Sequence, residues 1–219
     1  MTISENFEDI RRRMKKAERG TGRKEGATQL VAVSKTVSAE NLQAALTSGQ
    51  RVFGENRVQE AQDHWTDLKT QYPDIKLHLI GPLQTNKVKE AVALFDIIET
   101  LDREKLADVL AAEMKKQGRD IPCFVQVNTG EEEQKAGIAP RDLASFLSYC
   151  KNAGLTVTGL MCIPPVDEPA GLHFAFLKDL ARQHDLKELS MGMSADFEKA
   201  IGAGATYVRV GTALFGKRN

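Results

Sequence analysis

The stretch Gln29-Leu30-Val31-Ala32-Val33-Ser34-Lys35-Thr36 decides the reading of the fold. Leu30, Val31 and Val33 make a short, nearly continuous apolar run, as expected of a strand buried on both faces of a parallel sheet. The run ends on a lysine. An ammonium at the mouth of such a strand is partly desolvated, which favours the neutral amine and suits it to Schiff-base chemistry with carbonyl compounds. Taken alone, Lys35 reads more readily as a lysine snorkelling from a strand edge. The surrounding pattern decides between the two.

Seven further strand signals follow: 51–54, 76–80, 95–99, 121–127, 156–161, 188–191 and 207–210. Amphipathic helical stretches lie between them. Ser38 caps one that carries Leu42, Ala45 and Leu46 and stops at Gly49. Asp102 is the expected cap of another, with Leu106, Val109, Leu110 and Met114 on one face. Pro140 suits the first turn of a third, which carries Leu143, Phe146, Leu147 and Cys150. An N-terminal helix with Ile3, Phe7, Ile10 and Met14 on one side precedes the first strand, and its Arg11-Arg12-Arg13 run reads as a solvated face. Strands alternating with helices over 219 residues predict a (β/α)8 barrel in a single domain, residues 1–28 forming the helix and loop and 29–216 the barrel. Periodicity leaves a doubly wound open sheet as the alternative, because it does not show whether the sheet closes.

Composition narrows the function. Thirty basic and thirty acidic residues cancel, which argues against binding nucleic acid or a membrane surface through bulk charge. Three cysteines provide neither a disulfide framework nor a zinc site, and His64, His173 and His184 lack metal-ligand spacing. With no signal-like or membrane-spanning run, the expected location is the cytoplasm.

In such a barrel, functional residues gather at the C-terminal ends of the strands, and phosphate is frequently bound by the loops after strands seven and eight. Ser190 and Gly192 follow the seventh strand; Gly211 and Thr212 follow the eighth. Glycines let backbone N–H groups approach phosphate oxygens, and hydroxyls donate further bonds, although the same residues also serve turns and helix caps. Arg209 lies between Val208 and Val210, where a guanidinium needs a carboxylate or a ligand to offset its burial. Asn56 follows the second strand, where it serves a ligand or a helix cap. His78, alternating with Leu77 and Leu79, reads as a core histidine.

The segments Ala32–Thr36, Phe53-Gly54-Glu55-Asn56-Arg57-Val58-Gln59-Glu60, His78–Lys87, Gly159–Pro164, Leu189–Asp196 and Val208–Gly216 resemble those of the pyridoxal phosphate homeostasis protein family. The resemblance covers nearly the whole chain. It implies a barrel like the N-terminal domain of alanine racemase, the fold-type III kind of pyridoxal phosphate (PLP) protein. Lys35 would then form the internal aldimine with PLP. Ser190, Gly211 and Thr212 would hold the phosphate with backbone help near Met191 and Gly192, Arg209 would face the pyridine nitrogen, and Asn56 and Met161 would line the ring.

A guanidinium donates to the ring nitrogen without protonating it, so the ring stays a poorer electron sink. Racemases also need a tyrosine from an additional β-domain, and Tyr72, Tyr149 and Tyr207 are not placed to replace it. The resemblance therefore implies a non-catalytic, monomeric carrier of PLP that supplies PLP-dependent apoenzymes. A slow PLP-dependent amino-acid racemase and a Schiff-base sugar-phosphate aldolase are the competing readings. Thr85 stands where the family often has Ser, and the 166–187 stretch is shorter than usual and carries no functional expectation.

Overall fold

The structure is a computed structural model that describes residues 2–216; Met1 and residues 217–219 of the expected domain lie outside the described residues. An N-terminal helix, α1 (Ile3–Gly20), leads into eight strands: β1 (Gln29–Val33), β2 (Val52–Glu55), β3 (Lys76–Leu79), β4 (Ile97–Leu101), β5 (Cys123–Gln126), β6 (Val157–Met161), β7 (Glu188–Ser190) and β8 (Tyr207–Val210). Helices follow each strand: α2 (Ala39–Thr47), α3 (Val58–Gln71), α4 (Val88–Leu94), α5 (Glu104–Gln117), α6 (Leu143–Asn152), α7 (Ala170–Gln183), α8 (Phe197–Ala203) and α9 (Thr212–Phe215).

All neighbours pair in parallel, and β1 pairs with β8 with Val31 opposite Arg209, so the sheet closes. Closure removes the open-sheet alternative. It also brings the ends of β1 and β8 side by side, which places Lys35 next to Gly211 and Thr212. Leu30, Ala32, Val208 and Val210 pack outward into the layer between strands and helices, while the alternate residues Val31 and Arg209 face the barrel axis.

The expected cap at Ser38 holds, while the expectations for Asp102 and for the start of the fourth strand shift. Ser38 caps α2, accepting from Asn41 N at 3.3 Å. Gly118 ends α5 in the left-handed region. Asp102, however, is not the cap of α5: Arg103 occupies that position without a side-chain cap bond, and the Asp102 carboxylate instead pairs with Arg103 Nη1 at 2.5 Å. The fourth strand starts two residues later than its apolar run implies, because Phe95 N donates to Ala91 O and closes α4. That shift moves Glu99 from a strand end to the middle of β4.

Helix α1 buries Phe7, Ile10 and Met14 against the barrel, and Phe7 meets Phe215 edge-on at 5.9 Å. Its arginines act structurally: Arg11 donates to Ser48 O at 2.9 Å, and Arg13 forks onto Glu198 at 3.0 and 3.1 Å. No helix among the described residues is long and apolar enough to cross a membrane.

Candidate functional site

Lys35, half-buried just past β1, shares a cavity of about 210 Å³ with Thr36, Ser38, Asn41, Gly211 and Thr212. Two short crossings meet there, β1 into α2 and β8 into α9. Gly211 N and Ala213 N converge on the Ser194 hydroxyl oxygen, each at 3.4 Å. Both bonds are long, so these N–H groups remain weakly engaged donors. Ser194, within the Leu189–Asp196 motif, was not among the residues expected to bind phosphate; position in a motif does not reveal which of two serines reaches a neighbouring loop.

The two serines divide the work. Ser190 is fully buried; its hydroxyl donates to Glu99 Oε2 at 2.5 Å and accepts from Arg209 Nη1 at 2.7 Å. Its one proton is committed to Glu99 and it does not line the Lys35 cavity, so it supports Arg209. Met191 is not placed to assist either: its side chain packs outward and its N–H donates to Tyr207 O at 3.2 Å. Gly192 has φ +89° and a Cβ there would lie 2.4 Å from that of Ala200, so its glycine serves the packing of α8.

Arg209, only 4% exposed, is held at three points: Ser190 Oγ, Cys162 O at 2.8 Å and, more distantly, Glu99 Oε2 at 3.9 Å. Glu99 is in turn 2.6 Å from His78 Nδ1. Burial pushes the Glu99 carboxyl up, but the hydrogen bond and charge of His78, the charge of Arg209 and the Ser190 hydroxyl together outweigh it and hold its pKa below the usual carboxylate range. His78 is thus the core histidine its alternation implied, with a definite task. Glu99 carries the same sequence signal as Arg209, a charge in an apolar run, but the run 95–99 ends on it and so does not mark it as buried.

Met161 lies opposite Ser190 in the β6–β7 register and alternates with the outward-packed Leu160 and Cys162, so it faces the barrel axis. Asn56 lines a neighbouring opening of about 510 Å³ with Arg57, Gln84 and Lys87. Its backbone is fixed by contact: a Cβ on Gly81 would come within 2.2 Å of Asn56 O. Gly81→Ala is therefore expected to destabilise the fold by about 3 kcal/mol, since the obstacle is backbone rather than a flexible side chain. Urea unfolding measures this, and a loss below about 0.5 kcal/mol would contradict the close approach.

The remaining candidates have other partners. Tyr149 donates to Asp108 at 2.8 Å on the outside of the molecule. Tyr207 stacks edge-on with His78 at 5.2 Å, and burial pushes its hydroxyl up to about 12. Tyr72 ends α3, where Gln43 Nε2 donates to its hydroxyl. A cavity of about 430 Å³ also opens between α1 and α2 near the N-terminal ends of β1 and β2, but its Arg11 and Glu18 are engaged by Ser48, Gln50, Gly26 and Thr28. No cluster among the described residues has the makings of a metal site.

The residues around Lys35 fit a phosphorylated aldehyde: a primary amine for the carbonyl, with hydroxyls and backbone N–H groups beside it for the phosphate. A closed parallel barrel with a lysine after its first strand and such donors after its last defines the class of alanine-racemase-type barrels, and residues 3–219 match the family model "Alanine racemase, N-terminal domain". The pyridoxal phosphate homeostasis protein of Vibrio cholerae is 41% identical, over 100% of this chain and 97% of its own length. That of Aquifex aeolicus is 39% identical, over 100% and 99%. The chain belongs to the pyridoxal phosphate homeostasis protein family.

Solved structures agree with the fold. PipY of Synechococcus elongatus without PLP superposes with a TM-score of 0.86 at 37% identity, covering 98% of this chain and 100% of that one. PipY with PLP bound gives 0.83 at 36% identity, with the same coverage. Alanine racemase of Clostridium difficile 630 gives 0.71 at 14% identity, covering 99% of this chain and 57% of that one, a likeness of fold alone.

Proposed function

We propose that this chain holds PLP covalently on Lys35 and takes part in PLP homeostasis in the cytoplasm, as a monomer that hands the cofactor to PLP-dependent apoenzymes without substantial turnover. The observation that carries this reading is the meeting of Lys35 with Gly211 and Thr212 in one cavity at the β1–β8 seam. When bound, PLP supplies an aldehyde that condenses reversibly with a primary amine. Lys35 provides that amine. Gly211, Thr212 and Ser194 receive the phosphate through N–H and hydroxyl donors, Arg209 presents N–H groups to the ring nitrogen, and Asn56 and Met161 flank the ring. Ser190 and Glu99 hold Arg209 in place.

Lack of turnover is supported by proton accounting. Racemisation needs an acid and a base on opposite faces of the substrate carbon. The three tyrosines are engaged elsewhere, at the α3 end, on the α6 surface and against His78. The guanidinium of Arg209 donates without giving up its proton.

Site mapping tests the reading. The wild-type protein is mixed with PLP, reduced with borohydride and digested, and the modified peptide is identified by mass spectrometry. Reduction is expected to fix the cofactor on Lys35. Modification spread over surface lysines with Lys35 untouched would overturn it.

A further inference from the structure

Glu55, at the end of β2, is fully buried on the outer side of the sheet and has no part in the cavity. Its Oε1 collects three neighbours: Ser34 Oγ donates at 2.7 Å, Trp65 Nε1 donates at 2.9 Å, and His64 Nδ1 lies 3.4 Å away. Its Oε2 is buried and has no hydrogen-bond partner among the described residues. A carboxylate buried with one oxygen unsatisfied is costly, and such exceptions concentrate where function requires them.

What Glu55 grips is the residue before Lys35. Ser34 N donates to Gly54 O at 3.0 Å, and Ser34 O accepts from Val37 N at 3.1 Å, closing a tight turn over Lys35 and Thr36. Within that turn Thr36 has φ +60°. The left-handed region is unfavourable for a β-branched residue, and such strain persists only where the flanking structure over-determines it. The Glu55–Ser34 bond is the buried anchor on the N-terminal side of the turn.

We propose that Glu55 is a positioning residue for Lys35, acting through the Ser34 hydroxyl and itself fixed from α3 by Trp65. The proposal rests on Lys35 being the residue that captures PLP. Ser34→Ala removes the grip at one end and Glu55→Gln replaces the acceptor carboxylate at the other. The turn then samples conformations that carry the Lys35 amine away from the cavity. Capture slows while the fold persists.

The experiment follows covalent attachment of PLP by its visible absorbance in wild type, Ser34→Ala, Glu55→Gln and the double variant, with melting temperatures measured alongside. Ser34→Ala is expected to attach PLP about tenfold more slowly, the factor corresponding to one lost buried hydrogen bond, and Glu55→Gln, whose neutral amide oxygen is a weaker acceptor for Ser34, by a smaller factor. The double variant is expected to be no slower than the slower single, because both changes act on the same interaction. Fluorescence of Trp65, the sole tryptophan in the chain, is expected to change on attachment in the wild type and to lose that response in Ser34→Ala. A wild type that fails to attach PLP overturns the reading of Lys35. A wild type that attaches it while Ser34→Ala matches its rate overturns the positioning role alone, as does a double variant whose defect is the product of the two singles. Should Glu55→Gln fail to fold, Ser34→Ala decides by itself, since it deletes one hydroxyl and leaves the Glu55–Trp65 bond in place.

Discussion

Lys35→Ala is expected to leave the barrel folded and to reduce covalent capture of PLP to the background set by surface lysines. The side chain is half-buried at a strand end and belongs to no apolar layer, so truncation leaves no core cavity. Stability should change by less than about 1 kcal/mol, as is usual away from buried networks. Attachment, in contrast, has no substitute amine among the described residues of that cavity, whose other lining residues are Val33, Thr36, Val37, Ser38, Asn41, Gly211, Thr212, Phe215 and Gly216. Weak reversible binding should remain, because the donors after β8 are unchanged. The measurements are the visible spectrum before and after borohydride and chemical denaturation of the same preparation. A variant that retained a stoichiometric, reducible adduct would show that another lysine carries the cofactor.

Glu99→Gln carries the largest stability effect. The change keeps the shape of the side chain but leaves the buried Arg209 facing a neutral amide, and breaking a buried ion pair costs about 3–5 kcal/mol. For a protein of this size that lowers Tm by roughly 10 °C. The pH dependence has a defined sign. The folded-state pKa of Glu99 is depressed, so its stabilisation is fully present above the ordinary carboxylate pKa of the unfolded chain and is lost as pH falls through the lower folded value. The acid limb of the stability profile should therefore be shallower in the Gln variant, and the two proteins should converge at low pH. An equal difference at neutral and acid pH would mean that the charge of Glu99 does not stabilise the fold.

The legible part of the site was the part written in local sequence. Lys35, Gly211 and Thr212 sit directly after apolar runs, and strand-end position follows from the run itself. Ser190 illustrates the limit. Its position after Leu189 indicated the right end of the right strand, but its partner Glu99 is 91 residues away. Only closure of the barrel, with Glu99 in the middle of β4 and not at its end, brings that carboxylate within reach of Ser190 on β7. Ser194 was equally local and equally ambiguous, since its role depends on the β8 loop reaching across to it. Glu55 lay in a quoted motif yet showed nothing of its burial, because a strand's last residue can face either way.

Residue order alone determined the alternation of strands and helices, because side-chain periodicity is a property of consecutive residues. It also placed a lysine where the first strand ends and an arginine where burial demands a partner. Closure of the sheet was decided only in three dimensions, by the pairing of Val31 with Arg209 across 178 residues. So was the assignment of hydroxyls. Hydrogen bonds act over about 3 Å and require specific geometry, so which serine supports Arg209, which accepts from the loop after β8 and which is gripped by Glu55 depends on packing between distant strands.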